Sequence, residues 1–269
     1  MSRNRSFSVV ICLIFLGAAA VVVMVWWPGR GKSIYEQGIA EVRLGDLQKG
    51  ETTLKAAAAE NPYNADARYW IGVARQGLGR HDEAVAAFDE AISVDEGIPA
   101  TDAPEEAVPL RKEMAEIWSK RGLSHLALGH YDAAIRDLTK AIAASRNNGR
   151  AYCKRGIAYF HEGLPEIARD DLLEAVLLDP TDAEALLYHA RASLDVGDSI
   201  RAIKDARKAI RLRPDSAEGY EIVVLGYHAQ SNREAATRYL DKLAELDPDT
   251  AAQVEKKTAE SPGKGGPVR

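Results

Sequence analysis

Small residues recur along this chain at a fixed interval. Gly38, Gly72, Gly122, Gly156, Ala190 and Val224 are 34, 50, 34, 34 and 34 residues apart, the single exception being one period lengthened by 16. A second series at the same phase runs Gly45, Gly79, Gly129, Gly163, Gly197 and Ser231, and a third runs Gly50, Ala84, Ala134, Ala168, Ala202 and Ala236. Self-similarity at a period of 20–50 residues means an array of supersecondary units, each unable to bury its apolar face alone. The composition decides which kind. Alanine, leucine, glutamate, lysine and arginine dominate and only 7% of residues are aromatic, which favours helix over sheet because unbranched side chains lose little rotamer freedom in a helix.

Two further series complete the unit: Ala57, Ala91, Ala141, Ala175 and Ala209 with Leu243, then Pro62, Pro180, Pro214 and Pro248, with Glu96 and Arg146 in the proline slot elsewhere. Small residues suit the close approach of two antiparallel helices, the mid-unit glycine suits the turn between them, and proline ends the preceding helix. The pattern resembles the tetratricopeptide-repeat (TPR) signature, most clearly in AEIWSKRGLSHLALGHYDAAIRDLTKAI from Ala115. The resemblance covers residues 31 to 250 as six units beginning at Gly31, Ala65, Ala115, Gly149, Ala183 and Ala217. It implies an all-α protein, an α-solenoid of about six helical hairpins.

The chain then divides as follows: repeats one and two over 31–98, a proline-containing insertion over 99–114 (Pro99, Pro104, Pro109), repeats three to six over 115–250, and a C-terminal cap with a disordered tail over 251–269. The insertion reads as a loop leading into a lengthened helix.

A tail of residues 1–7 precedes an apolar segment, 8–27. Within it Val9 to Trp27 are 19 consecutive residues without a charge, about 29 Å as a helix, which matches the hydrocarbon core of a bilayer. Arg3 and Arg5 precede it, Trp26 and Trp27 sit at an interfacial position, and Pro28-Gly29 would end the helix. We therefore expect a single transmembrane signal anchor. A secretory leader cut after Ala18-Ala19-Ala20 is the alternative, and it would leave the apolar stub VVVMVWW. The short leading tail favours a bacterial inner membrane with the repeats outside the cytoplasm. Arg30, Lys32 and Arg43 on the other side nearly balance the charge rule, so an organelle surface with cytosolic repeats stays open.

Net charge is −5, against the basic field of a nucleic-acid binder. Cys12 and Cys153 lie in different environments and suggest no disulfide framework. His161-Glu162 begins like a zinc-protease motif but lacks the second histidine, and the six histidines show no i, i+4 pairing, so neither metal nor cofactor is expected. After repeats, anchor and tail are subtracted no room remains for a catalytic domain. We expect no enzyme.

Another pattern links residues 16 apart. Arg121 goes with Asp137, Arg155 with Asp171, and His189 with Asp205, whereas the other units pair Gln37 with Thr53, Ile71 with Ala87, and Val223 with Tyr239. Charge tracks charge and apolar tracks apolar, which points to a contact inside each hairpin. The competing reading makes the arginines ligand contacts.

The resemblance also implies that the first helix of each hairpin lines a groove for a protein or peptide partner. Its inward positions hold Tyr35, Ile39, Tyr69, Val73, Leu123, Leu126, Cys153, Ile157, Phe160, Leu187, Leu194 and Leu225, an apolar strip of the kind that takes peptides or helices. The carboxylate-clamp positions of chaperone-binding relatives fall on Tyr69, Val73, Lys120, Arg150 and Lys154, where only Arg150 and Lys154 keep the charge, so chaperone-tail binding is not expected. Lys120, Leu123, Arg150, Lys154, Ile157 and Phe160 are the partner-binding candidates, a basic spot beside an apolar strip. A scaffold or adaptor and an accessory subunit of one membrane complex are both consistent with this surface.

Overall fold

The computed structural model describes residues 9–16, 19–26, 33–62, 64–96 and 112–260. It separates into two compact units, Met1–Thr101 and Asp102–Arg269. The first holds α1 (Ile34–Arg43), α2 (Leu47–Glu60), α3 (Ala65–Gly77) and α4 (His81–Glu96). The second holds α5 (Lys112–Ala127), α6 (Tyr131–Ala144), α7 (Gly149–His161), α8 (Pro165–Leu178), α9 (Ala183–Asp195), α10 (Ser199–Leu212), α11 (Ala217–Ala229), α12 (Arg233–Leu246) and α13 (Pro248–Glu260). Twelve of these pair as six antiparallel hairpins, and α13 packs on α11 and α12.

Local chemistry explains where the helices start. Asn64, Asn148, Asp182 and Ser216 precede the first helices of four hairpins, and their side-chain oxygens accept backbone N–H bonds from Ala67, Ala151, Ala185 and Gly219. These caps satisfy donors that the helix leaves orphaned. The turn glycines of the first five hairpins have φ between 74° and 89°; in the sixth, Ser231 adopts φ 57° despite carrying a Cβ.

Close approach explains the other glycine series. A Cβ on Gly72 would lie 2.6 Å from Phe88, and one on Gly156 would lie 2.7 Å from Leu172. Each glycine therefore receives a large side chain from 16 residues later. In the fifth hairpin the volumes are redistributed: Ala190 stands in the glycine slot and Ala206, not a leucine, lies opposite, both fully buried. This is a volume-conserving exchange in a close-packed joint.

Adjacent hairpins bury one another's apolar faces. Val42, Leu54, Ile71, Ala74 and Ala87 form one cluster in the first unit. In the second, Cys153, Ile157, Leu172 and Ala185 form one cluster, and Leu186, Leu187, Ile203, Ile222 and Val223 form another.

The expected helix over 8–27 is corrected. Val9–Leu16 (β1) and Ala19–Trp26 (β2) pair antiparallel, from Val9 opposite Trp26 to Leu16 opposite Ala19. β-Branched residues such as Val9, Val10, Ile11 and the Val21-Val22-Val23 run favour extended backbone. Among the described residues no helix is long and apolar enough to cross a membrane. The tail 1–7, most of the insertion (97–111) and the end of the C-terminal tail (261–269) lie outside the described residues.

Candidate protein-interaction surface

The 16-residue pairs are contacts within hairpins. Arg121 donates to both oxygens of Asp137 at 2.8 and 2.7 Å, and Arg155 to both of Asp171 at 2.7 and 2.8 Å. His189 Nδ1 lies 2.8 Å from Asp205. The three aspartates are buried, so a bidentate guanidinium here satisfies a desolvated carboxylate rather than a ligand. Arg155 also donates to Thr139 of the preceding hairpin at 3.0 Å. Ile71 and Ala87 share an apolar cluster, Tyr239 packs on the cluster that holds Val223, and Gln37 and Thr53 are joined through Glu41, to which both donate.

The first unit contains a charged joint that the pairing rule does not reveal. Glu51 on α2 is only 1% exposed and accepts from Arg75 on α3 at 3.0 Å and from Arg80 in the turn before α4, with Lys55 at 2.7 Å. Burial pushes its carboxyl up, but the hydrogen bonds from Lys55, Arg80 and Arg75 outweigh this and hold it at about 2. Glu41, bonded by Gln37, Thr53 and Lys49, is likewise held at about 2.

The six partner-binding candidates all lie on α5 and α7, and the structure treats them differently. Lys120 is half-buried, and burial lowers its pKa, the nearby Arg150 adding to the shift and Glu116 opposing it. Two of the three predicted cations thus share one locality across α5 and α7. Lys154 instead donates to both oxygens of Glu184 on α9, at 2.6 and 2.7 Å. Leu123 is half-buried, Ile157 is only 4% exposed and belongs to the joint with its neighbours, and Phe160 remains half-open. Of the wider strip, Tyr69, Cys153 and Leu187 are also buried, whereas Tyr35, Ile39, Val73, Leu126, Leu194 and Leu225 keep partial exposure. Burial raises the Cys153 thiol to about 12, assisted by Asp182 and Glu184, so it stays protonated.

Beside Phe160 lies an aromatic group that sequence reasoning missed. Tyr131 stacks on His161 at 5.2 Å and 11°, and Tyr188 meets Phe160 edge-on at 5.8 Å and His161 at 6.0 Å. These side chains come from α6, α7 and α9, so three successive hairpins contribute to one partly exposed aromatic platform. The available signal was His161 directly after Phe160 at the end of a first helix, a position read only for its lack of a zinc partner. Among the described residues no group of three or more His, Cys, Asp or Glu could hold a metal ion.

Comparison with known proteins agrees with this architecture. A sequence profile described as tetratricopeptide repeat matches residues 35–101 and 119–185. A search of curated proteins finds no match. Among solved structures the chain is similar to YrrB, described as a TPR protein with an unusual peptide-binding site, at 22% identity and TM-score 0.61 over 76% of this chain and 97% of that one. It is similar to the MamA protein at 22% identity and TM-score 0.56 over 76% and 98%, and to Pseudomonas aeruginosa pilF at 16% and 0.66 over 85% and 96%. At these identities the likeness is one of fold.

Proposed function

We propose that this chain, an all-helical TPR solenoid over its described repeats, is a membrane-anchored protein-interaction scaffold that holds a partner segment on the first helices of its second unit. What supports the reading is that Lys120 and Arg150 share one locality across α5 and α7, while the half-open Phe160 and Tyr188 and the exposed His161 lie further along the first helices, about 15 Å from Arg150 along α7. A partly exposed aromatic platform contributes contact area at low conformational cost, and an arginine can bind both oxygens of a carboxylate. The partner segment is therefore apolar or aromatic at one end with an acidic group towards the other. The peptide-binding site ascribed to YrrB, a protein of the same fold, is in keeping with this reading.

The anchor rests on the uncharged run from Val9 to Trp27. A two-stranded pair leaves both backbone edges open, which hydrocarbon cannot satisfy, so the anchor requires this run to exchange the pairing of Val9–Leu16 with Ala19–Trp26 for a helix on entering a bilayer. We place the repeats outside the cytoplasm of a bacterial inner membrane. Carbonate extraction and N-terminal sequencing test the anchor: the intact chain stays with the membrane, whereas release or a mature N-terminus near Val21 contradicts it. The second reading, an accessory subunit of one membrane complex, is separated by copurification from gently solubilised membranes. A spread of partners supports the scaffold, and one stoichiometric complex supports the subunit.

A further inference from the structure

The second helices of the hairpins carry a charge pattern that neither the braces nor the groove uses. Three outward positions, one turn apart, can be compared across the second unit. They hold Asp132, Arg136 and Lys140 on α6; Glu166, Asp170 and Glu174 on α8; Ile200, Lys204 and Lys208 on α10; and Glu234, Arg238 and Lys242 on α12. The stripes on α6 and α12 mix signs, and on α12 they are satisfied locally, Arg238 by Glu234 and Lys242 by Glu245. The α8 stripe is entirely acidic. The α10 stripe has no acid, and Arg207 and Arg211 extend it.

These charges are exposed or half-exposed, and Asp170 keeps 76% of its side-chain surface. Asp170 meets only its own neighbour Arg169, at 3.5 Å, and no described residue pairs with Glu174, Lys204 or Lys208. α8 and α10 each pack on α9 and do not contact one another. The two stripes occupy equivalent positions 34 residues apart in successive stacked hairpins, which puts them on the same side of the array with their charges unmatched. Apolar surface accompanies them: Ile200 is 76%, Leu177 63% and Ile167 48% exposed.

We propose that this face docks a second copy of the chain. The argument is one of symmetry. A two-fold axis running along the helices over α9 lays α8 of one copy on α10 of the other with levels preserved, and α10 on α8 at the same time, because an isologous patch must complement itself. Asp170 then faces Lys204 of the second copy and Glu174 faces Lys208, each acid and each base being about 6 Å from its successor along the helix. Every pair occurs twice. An anionic membrane or nucleic acid suits this face poorly, since the α8 carboxylates would be pressed against it beside the α10 cations. Exposed ion pairs are individually weak, so the association depends on their number and on Ile200 and Leu177, and it is sensitive to salt. The inference does not depend on the partner groove or on the anchor.

Sedimentation velocity of the full chain in density-matched non-ionic detergent tests it. The wild type is a dimer at about 50 mM salt and shifts towards monomer at about 500 mM, where the screening length falls to about 4 Å. Lys204→Glu with Lys208→Glu gives a monomer, as does Asp170→Lys with Glu174→Lys, both with unchanged helical circular dichroism. An equimolar mixture of the two variants restores the dimer, because each acidic stripe then meets a basic one. Monomeric wild type at low salt overturns the proposal, as does a dimer that persists in either variant or a mixture that stays monomeric. Monomeric wild type that instead retains a different acidic protein through Lys204 and Lys208 also overturns it.

Discussion

In the first unit the most buried carboxylate, Glu51, ties one hairpin to the next, whereas in the second unit Asp137, Asp171 and Asp205 each pair inside their own hairpin. A repeat array is held by the sum of hairpin stabilities and nearest-neighbour joints. Two hairpins have one joint between them, so its loss separates them, and that joint carries a buried carboxylate under two arginines. Both units fill their joints with apolar clusters, but in the second the buried aspartates brace single hairpins and the ion pairs that cross between hairpins, Lys154 with Glu184 and Arg191 with Glu221, are more exposed. The first helices of the second unit then present groups left over from bracing, Arg150, Phe160 and His161 among them.

Removing Glu51 is the harshest way to break this contrast. Glu51→Ala leaves the partly exposed Arg75 and Arg80 with Glu83 as their remaining shared acid and is expected to destabilise the first unit by about 2 to 4 kcal/mol. Calorimetry should then show an early transition confined to that unit, seen by hydrogen exchange as exposure of α2 and α3. A single unchanged transition would mean that the joint is not held by this carboxylate.

Within the second unit, Arg155→Ala is expected to cost about 1 to 4 kcal/mol, with Asp171→Ala adding much less than its separate effect because the two groups act as one. Full additivity in the double-mutant cycle would show that the pair does not stabilise the hairpin.

Acid offers a reversible probe of the first unit. Glu51 and Glu41 are both held at about 2, below the ordinary glutamate value, so the folded state binds fewer protons than the unfolded one between that value and 2. Their contribution is complete above the ordinary glutamate value and is lost as pH falls towards 2. Protection of α2 and α3 amides should fall across that window, with a shallower dependence in Glu51→Gln. An equal slope in both proteins would remove Glu51 from the account.

The smallest effect concerns Ser231, held at φ 57° where the other hairpins have glycine. Ser231→Gly relieves the left-handed strain but loosens the unfolded chain, for a net gain of about 0.5 to 1 kcal/mol. A lower melting temperature would show that the serine conformation is not strained.

Most of the hairpin architecture could be read from the chain because each joint writes its volume constraint twice, 16 residues apart, as in Gly72 with Phe88 or Arg155 with Asp171. The offset repeats, so one sequence supplies several independent tests of it. Glu51 escaped because its partners are 24 and 29 residues away, in the next hairpin, and occur in one repeat only. The pairing of Lys154, a partner-binding candidate, with Glu184 is hidden for the same reason, Glu184 being 30 residues on. Ile157 shows a different limit: periodicity places it on an inward face but does not say whether a neighbouring hairpin already covers that face. In the N-terminal run the absence of charge gave a spanning length, while its β-branched residues are compatible with the extended pairing found.

The central claim is that the second unit separates residues that brace from residues that bind, and copurification of the full chain with melting measured in parallel tests it most directly. Arg150→Glu with Phe160→Ala is predicted to lower partner recovery at least tenfold at a temperature where the variant remains folded, Phe160 being packed in part on the Cys153 and Ile157 cluster. Arg155→Lys, which loses the bidentate contact to Asp171, is predicted to lower the melting temperature while recovery at a permissive temperature stays near wild type. Undiminished recovery with the Arg150 and Phe160 variant, or loss of the partner with folded Arg155→Lys, would contradict the account.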